Sequence, residues 1–169
     1  MIVAQSLIYS KKKEKFLNFS DDEHPISIQF GGDNPKFLKE VAKMAEDWGY
    51  DEINFNVGCP SPKVSSGNFG ASLMNSPNDV AKCIESIKNH CNLPVTIKHR
   101  IGVDNNDSFS YLNDFVRHIA NAGAERFTVH ARKAYLNGLN PKENRSIPPL
   151  RYDIVRRLKE KNPELIIEI

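Results

Sequence analysis

From residue 25 onward the apolar positions switch between two rhythms, a short strand-like run and a longer helical repeat. His24-Pro25 leads into ISIQFGG, a run with β-branched residues that is stopped by Gly31 and Gly32. The next segment, NPKFLKEVAKMAEDWGY, sets Phe37, Leu38, Val41, Met44, Ala45 and Trp48 at helical spacing and offers Gly49 as a stop. EINFNVG reads as a strand. SPNDVAKCIESIKNHC reads as a helix with Ser76 as N-cap and Pro77 in the first turn. LPVTIKHRIG is a strand again. DSFSYLNDFVRHIANAGA is an amphipathic helix that turns Tyr111, Leu112, Phe115, Ile119 and Ala122 inward. ERFTVHARK is a strand, NRSIPPLRYDIVRRLKEKNPE a proline turn followed by a helix, and LIIEI a last strand.

Strands alternating with helices predict an α/β domain with a parallel sheet and helices packed outside it. The pattern has five strands and four intervening helices, with no linker and no second composition type, so residues 1–169 read as one domain. Polar residues gather at the C-terminal ends of the strands: Gln29, Asn54 and Asn56, Lys98 and Arg100, His130 and Arg132. No Gly-x-Gly-x-x-Gly turn follows any strand, so a dinucleotide-binding sheet lacks its phosphate loop. Functional groups at the ends of several strands are the habit of the (β/α)8, or TIM, barrel. Five strands make a partial barrel, the middle of one.

Composition adds little to this. Hydrophobic residues are 40% and charged residues 26%, which reads as globular. A net charge of +2 does not by itself call for nucleic acid, so an anionic partner must meet a local patch. No apolar run is long enough to span a membrane, and the first residues have no secretory-signal pattern, which leaves the cytoplasm as the default. The three cysteines, Cys59, Cys83 and Cys91, are not at metal-ligand spacing, and Cys83 and Cys91 read as small core residues.

The candidate chemistry lies at the strand ends. Cys59 sits between Gly58 and Pro60, just beyond a strand. A thiol there is either a proton donor or nucleophile facing a pocket, or a buried small hydrophobe. Pro62, Gly67 and Gly70 suggest that the following loop is shaped. Lys98, flanked by apolar residues, faces either the barrel mouth, where it can meet an anion or an electron-rich ring, or solvent at an edge. His99 then points the other way and is structural. His130 and Arg132 share a face by the two-residue period and suit a phosphate or a ring; the alternative for His130 is a satisfied core histidine. The amide of Gln29 suits the edge of a polar heterocycle. The long connection KAYLNGLNPKENRSIPPLRY carries Lys133, Lys142, Arg145 and Arg151 with Tyr135. That mixture fits an RNA backbone and an unstacked base, or an ordinary solvated loop.

NFNVGCPSPKVSSGNFGASLM, VTIKHRIGVD, FTVHARKAYLNGLNPKENRSIPPL and HPISIQFGG, in that arrangement, resemble the tRNA-dihydrouridine synthases, and among them the bacterial A-type branch that modifies the D-loop. The resemblance implies a flavin-dependent (β/α)8 barrel that reduces the C5=C6 bond of uridine in tRNA. Reduced FMN gives hydride to C6, a cysteine protonates C5, and NADPH is the reductant. By motif position Cys59 is the proton donor. Gln29, Lys98 and His130 match FMN contacts, Asn56 matches a contact to the substrate RNA, and Lys142 and Arg145 match positions that govern tRNA choice. Arg100 and Arg132 are neighbours of these motifs. Ser72 stands where many relatives carry a second cysteine. The resemblance also implies that the barrel's first two strands, its last strand, the FMN-phosphate elements and the helical domain are not among these residues. The alternatives are a flavin barrel acting on free pyrimidines and an inactive chain with at most weak RNA binding.

Overall fold

In the computed structural model, residues 1–61 and 67–169 are described; Pro62 lies outside them. Six parallel strands form one sheet in the order β1-β2-β3-β4-β5-β6. They are β1 (Ile2–Val3), β2 (Ser27–Gly31), β3 (Glu52–Val57), β4 (Val95–Arg100), β5 (Arg126–His130) and β6 (Ile166–Glu168). Spatial order follows chain order without reversal, as in the wall of a (β/α)8 barrel; a doubly wound sheet would reverse direction. The sheet is open, and the fold is a partial TIM barrel. All five expected strands are present. The sixth, β1, is two residues long and pairs through Ile2 with Phe30 and Val3 with Gly31. It adds one strand to the five that the pattern predicts. A two-residue strand has no alternation to read, which is why the pattern does not reveal it.

The expected helices are α3 (Pro35–Trp48), α4 (Pro77–Lys88), α5 (Phe109–Asn121) and α6 (Tyr152–Lys161), preceded by the short α1 (Ala4–Ile8) and α2 (Glu14–Leu17). Asn34 caps α3 by accepting from the Lys36 N–H at 3.0 Å, and Gly49 ends it in the left-handed region at φ 93°. Ser108 caps α5 through the Tyr111 N–H at 3.2 Å. Ser76 stands at the N-cap of α4 but its side chain makes no capping bond, so Pro77 alone marks that start. Trp48, in the last turn of α3, is 40% exposed and does not join the inward face.

Each inner strand has two unlike faces. Ile53, Phe55 and Val57, then Val95 and Ile97, then Phe127 and Val129 are buried in one apolar cluster with Leu38, Val41, Ile84, Ile87, Leu112 and Ile119 of the helices. Cys83 and Cys91 belong to it as read, and burial pushes the Cys83 thiol up to about 12. Phe30, Phe55 and Phe127 are fully buried there, and burying a side chain of that size contributes about 1.5–3 kcal/mol. The alternate residues form a polar second face. At its N-terminal end Glu52 accepts from the Ser27 hydroxyl at 2.9 Å and the Thr96 hydroxyl at 2.8 Å and pairs with Arg126. At the other end of this face lies the candidate site.

Candidate active site

Strand register places the polar side chains in rows. Gln29 is level with Asn54, Asn54 with Thr96, Asn56 with Lys98, and Arg100 with His130. A ladder of amides crosses the rows. Asn54 donates to the Thr96 hydroxyl at 2.9 Å, Gln29 donates to Asn54 at 2.7 Å, and Asn56 donates to Gln29 at 2.9 Å. At the top, Asn56 Oδ1 accepts the backbone N–H of Gly58 at 3.2 Å and of Cys59 at 3.0 Å. The turn that carries the thiol is thus pinned to three strands through side-chain amides.

Gly58 is needed for a steric reason. A Cβ there would lie 3.3 Å from the His99 Cα and carbonyl carbon, which are backbone atoms of β4 and cannot swing away. On the other side of the thiol, the Cys59 carbonyl accepts the Ala71 N–H at 2.9 Å, at the start of a 3-10 turn over Gly70–Asn75. Ser72, within that turn, donates to the Phe69 carbonyl at 3.0 Å.

A cavity of about 170 Å³ opens at this end of the sheet, lined among others by Asn56, Cys59, Lys98, Arg100, His130 and Arg145. None of its described lining residues is acidic. Burial, and then the Arg100 charge, lower the Lys98 ammonium from its usual value. Burial and the surrounding cations Arg100, Lys98, Arg132 and Arg145 bring His130 down to about 4, so its imidazole is neutral at neutral pH. Donors without acids suit an electron-rich ring or an anion, and Lys98, His130 and Arg145 line the cavity where one could be held.

The structure brings five of the seven candidate site residues, Asn56, Cys59, Lys98, His130 and Arg145, onto one cavity. Gln29 is one strand away, engaged by Asn54 and Asn56, and does not line the cavity. Lys142 is exposed at the N-cap of the 3-10 turn Glu143–Arg145, also outside the lining. His99 packs between Phe115 and Phe127, fully buried, as a structural residue. Arg132 does not share a strand face with His130, because β5 ends at His130 and the Arg132 N–H turns back to the His130 carbonyl at 2.7 Å. Its guanidinium instead reaches the Ser146 and Pro148 carbonyls. Lys133 is held by Asp107 at 3.0 Å and lies 4.9 Å over the Tyr135 ring, so this cation and aromatic satisfy each other.

Two further residues shape the site: Arg100, expected only as a strand-end neighbour of the motifs, and Asn144, which the sequence does not single out. Arg100, 3% exposed, donates from Nε to the Gly58 carbonyl at 3.2 Å and from Nη1 to the carbonyls of Lys133 at 3.3 Å and Asn144 at 2.9 Å. Asn144, fully buried, accepts the Tyr135 N–H at 2.8 Å and donates to the carbonyls of Tyr135, Leu139 and Asn140. Strand-end position marks Arg100, but spacing gives the partners of neither residue, since those are backbone atoms of other segments.

Comparison with known proteins accords with this geometry. A family model described as dihydrouridine synthase (Dus) matches residues 1–169. The tRNA-dihydrouridine(20/20a) synthase of Synechocystis sp. is 56% identical over 169 residues, covering 100% of this chain and 50% of that protein. The protein of that name from Vibrio cholerae is 46% identical over 179 residues, covering 100% of this chain and 55% of that protein. The chain spans about half the length of the curated relatives it matches.

Proposed function

The chain belongs to the dihydrouridine synthase family, and on that premise we propose that the protein carrying it reduces the C5=C6 bond of a uridine in tRNA, with Cys59 as the proton donor to C5. The relatives' names point to positions 20 and 20a, in the D-loop. FMN is the proposed cofactor and NADPH its reductant; FMN, when bound and reduced, supplies the hydride for C6. Lys98 and His130 are the residues that would hold the flavin ring, Lys98 by its charge and His130 as a neutral hydrogen-bonding group. Gln29 supports them from the amide ladder. A base that reaches this site must leave its stack, and Asn56, Lys142 and Arg145 are the proposed contacts to the RNA.

The observation that carries this reading is the pinned thiol at a cavity lined by cations and by no described acid. Of the lining groups, His130 is neutral at neutral pH and the guanidinium of Arg100 is bound to backbone carbonyls. Arginine does not give up its proton in proteins. Lys98 also carries a proton on this cavity and is assigned here to the flavin ring; the thiol on its fixed turn is the proposed donor, and the negative sulfur left after transfer sits near the Arg100 charge. The test is the dihydrouridine content of unmodified tRNA after incubation with NADPH and either the wild-type protein or Cys59→Ala. The variant is expected to lose about 10²- to 10⁴-fold in rate, the usual span for removing a general acid. Wild-type dihydrouridine formation by Cys59→Ala contradicts the assignment.

A further inference from the structure

Arg100 is an unusual buried arginine. It is 3% exposed, and among the described residues no carboxylate pairs with it. Its recorded hydrogen bonds all go to backbone carbonyls, and Arg132 and Arg145 add like charge nearby. Burying an unpaired charge next to other cations costs stability. Three hydrogen bonds to backbone carbonyls offset part of that cost.

The carbonyls it holds explain the placement. Gly58 immediately precedes Cys59, and Asn144 immediately precedes Arg145. One rigid fork therefore joins the turn that carries the thiol to the turn that carries the cation on the cavity's outer side. The same fork reaches Lys133, where the long connection leaves the sheet. Asn144 in turn folds that connection around its own amide. Neither turn is otherwise hydrogen-bonded to the other among the described residues.

We propose that Arg100 is a positioning residue for the proposed reduction: its guanidinium locks the Gly58–Cys59 turn to the Asn144–Arg145 turn, so that thiol and outer cation meet the base as one unit. The inference rests on Cys59 as proton donor. A lysine keeps the charge but cannot span carbonyls in two loops, because its ammonium is a point donor on a flexible stem.

The test is a double-mutant cycle of Arg100→Lys and Cys59→Ala in the FMN-loaded protein. It reads the single-turnover oxidation of pre-reduced flavin by saturating tRNA, the rate of flavin reduction by NADPH, and backbone amide exchange. Arg100→Lys is expected to slow the tRNA-dependent step about 10- to 100-fold, the scale of a misplaced reacting group. Reduction by NADPH is expected to stay at the wild-type rate. Exchange at Cys59, Tyr135 and Arg145 is expected to rise, because those amides belong to the two joined turns. In the Cys59→Ala background the Arg100→Lys effect should shrink to less than about threefold, since both act through one group. A penalty that multiplies in full on a slow Cys59→Ala protein overturns the proposal alone and makes Arg100 a direct contact to base or cofactor. Unchanged exchange together with weakened tRNA binding overturns it as well. A Cys59→Ala protein that oxidises its flavin at the wild-type rate removes the donor first, and the positioning role with it. If Arg100→Lys does not fold, Arg100→Gln, which removes the buried charge, is taken through the same cycle.

Discussion

Where the sulfur of Cys59 lies is decided by its neighbours. Asn56 holds the two N–H groups of the turn, Arg100 holds a carbonyl, and Gly58 lets the turn lie flat on β4. Gly58→Ala forces a methyl to 3.3 Å from the His99 backbone, and such overpacking costs about 1–3 kcal/mol. We expect a lower urea midpoint for Gly58→Ala, with activity falling further than stability, because the displaced atoms adjoin the thiol. The histidines give a pH prediction. Burial lowers His99 to about 4, and burial with the nearby cations lowers His130 to about 4, against an ordinary value of 6.5. Between those values the unfolded chain binds more protons than the folded one, so stability is full above about pH 6.5 and is lost as pH falls towards 4. His99→Leu keeps the apolar packing against Phe115 and Phe127 and removes an imidazole whose Nε2 has no partner among the described residues. Thermal unfolding between pH 4 and 6.5 should therefore depend less steeply on pH in His99→Leu than in the wild type. At this scale Cys59 was legible, because Gly and Pro flank it. Arg100 was legible as a strand-end cation but its contacts were not, because its partners Lys133 and Asn144 lie 33 and 44 residues away.

At the scale of elements, the strands and long helices were readable because each buries one face. Ile53, Phe55 and Val57 alternate with Glu52, Asn54 and Asn56, and the period of two shows in the sequence itself. Sequence failed where an element has no period. β1 is too short to show one, and Arg132 lies past the end of β5, so extending the strand rhythm put it on a face it does not share. The connection from Lys133 to Arg151 read as a basic loop with a choice of roles. Its shape comes from one buried side chain, Asn144, which makes four hydrogen bonds to the backbone of that loop. Asn144→Ala leaves part-buried backbone groups of the loop without their side-chain partner, at up to about 1–3 kcal/mol for each group that water does not reach. We expect the Tyr135 amide, bonded to Asn144 at 2.8 Å, to lose its exchange protection in that variant while amides in β3 and β4 keep theirs. Protection lost throughout the sheet would mean that the loop is not a separate unit.

For the molecule as a whole, one sheet serves two purposes. Its apolar face holds the helices, and its polar face is an ordered lattice from Glu52 and Arg126 at one end to the Cys59 turn at the other. The (β/α)8 architecture was legible from polar residues at strand ends combined with the absence of a phosphate-binding glycine turn. The junction of the cavity was not, since it depends on how the turn after β3 and the turn before α6 meet over β4. The central claim is that this junction presents Cys59 as the acid for uridine reduction. The most direct measurement separates the two half-reactions in Cys59→Ala: stopped-flow reduction of bound FMN by NADPH, then reoxidation of the reduced flavin by unmodified tRNA. We predict an unchanged first step and a second step slowed about 100-fold or more, as for loss of a general acid. Reoxidation by tRNA at the wild-type rate would show that the proton comes from another group and that Cys59 only lines the cavity.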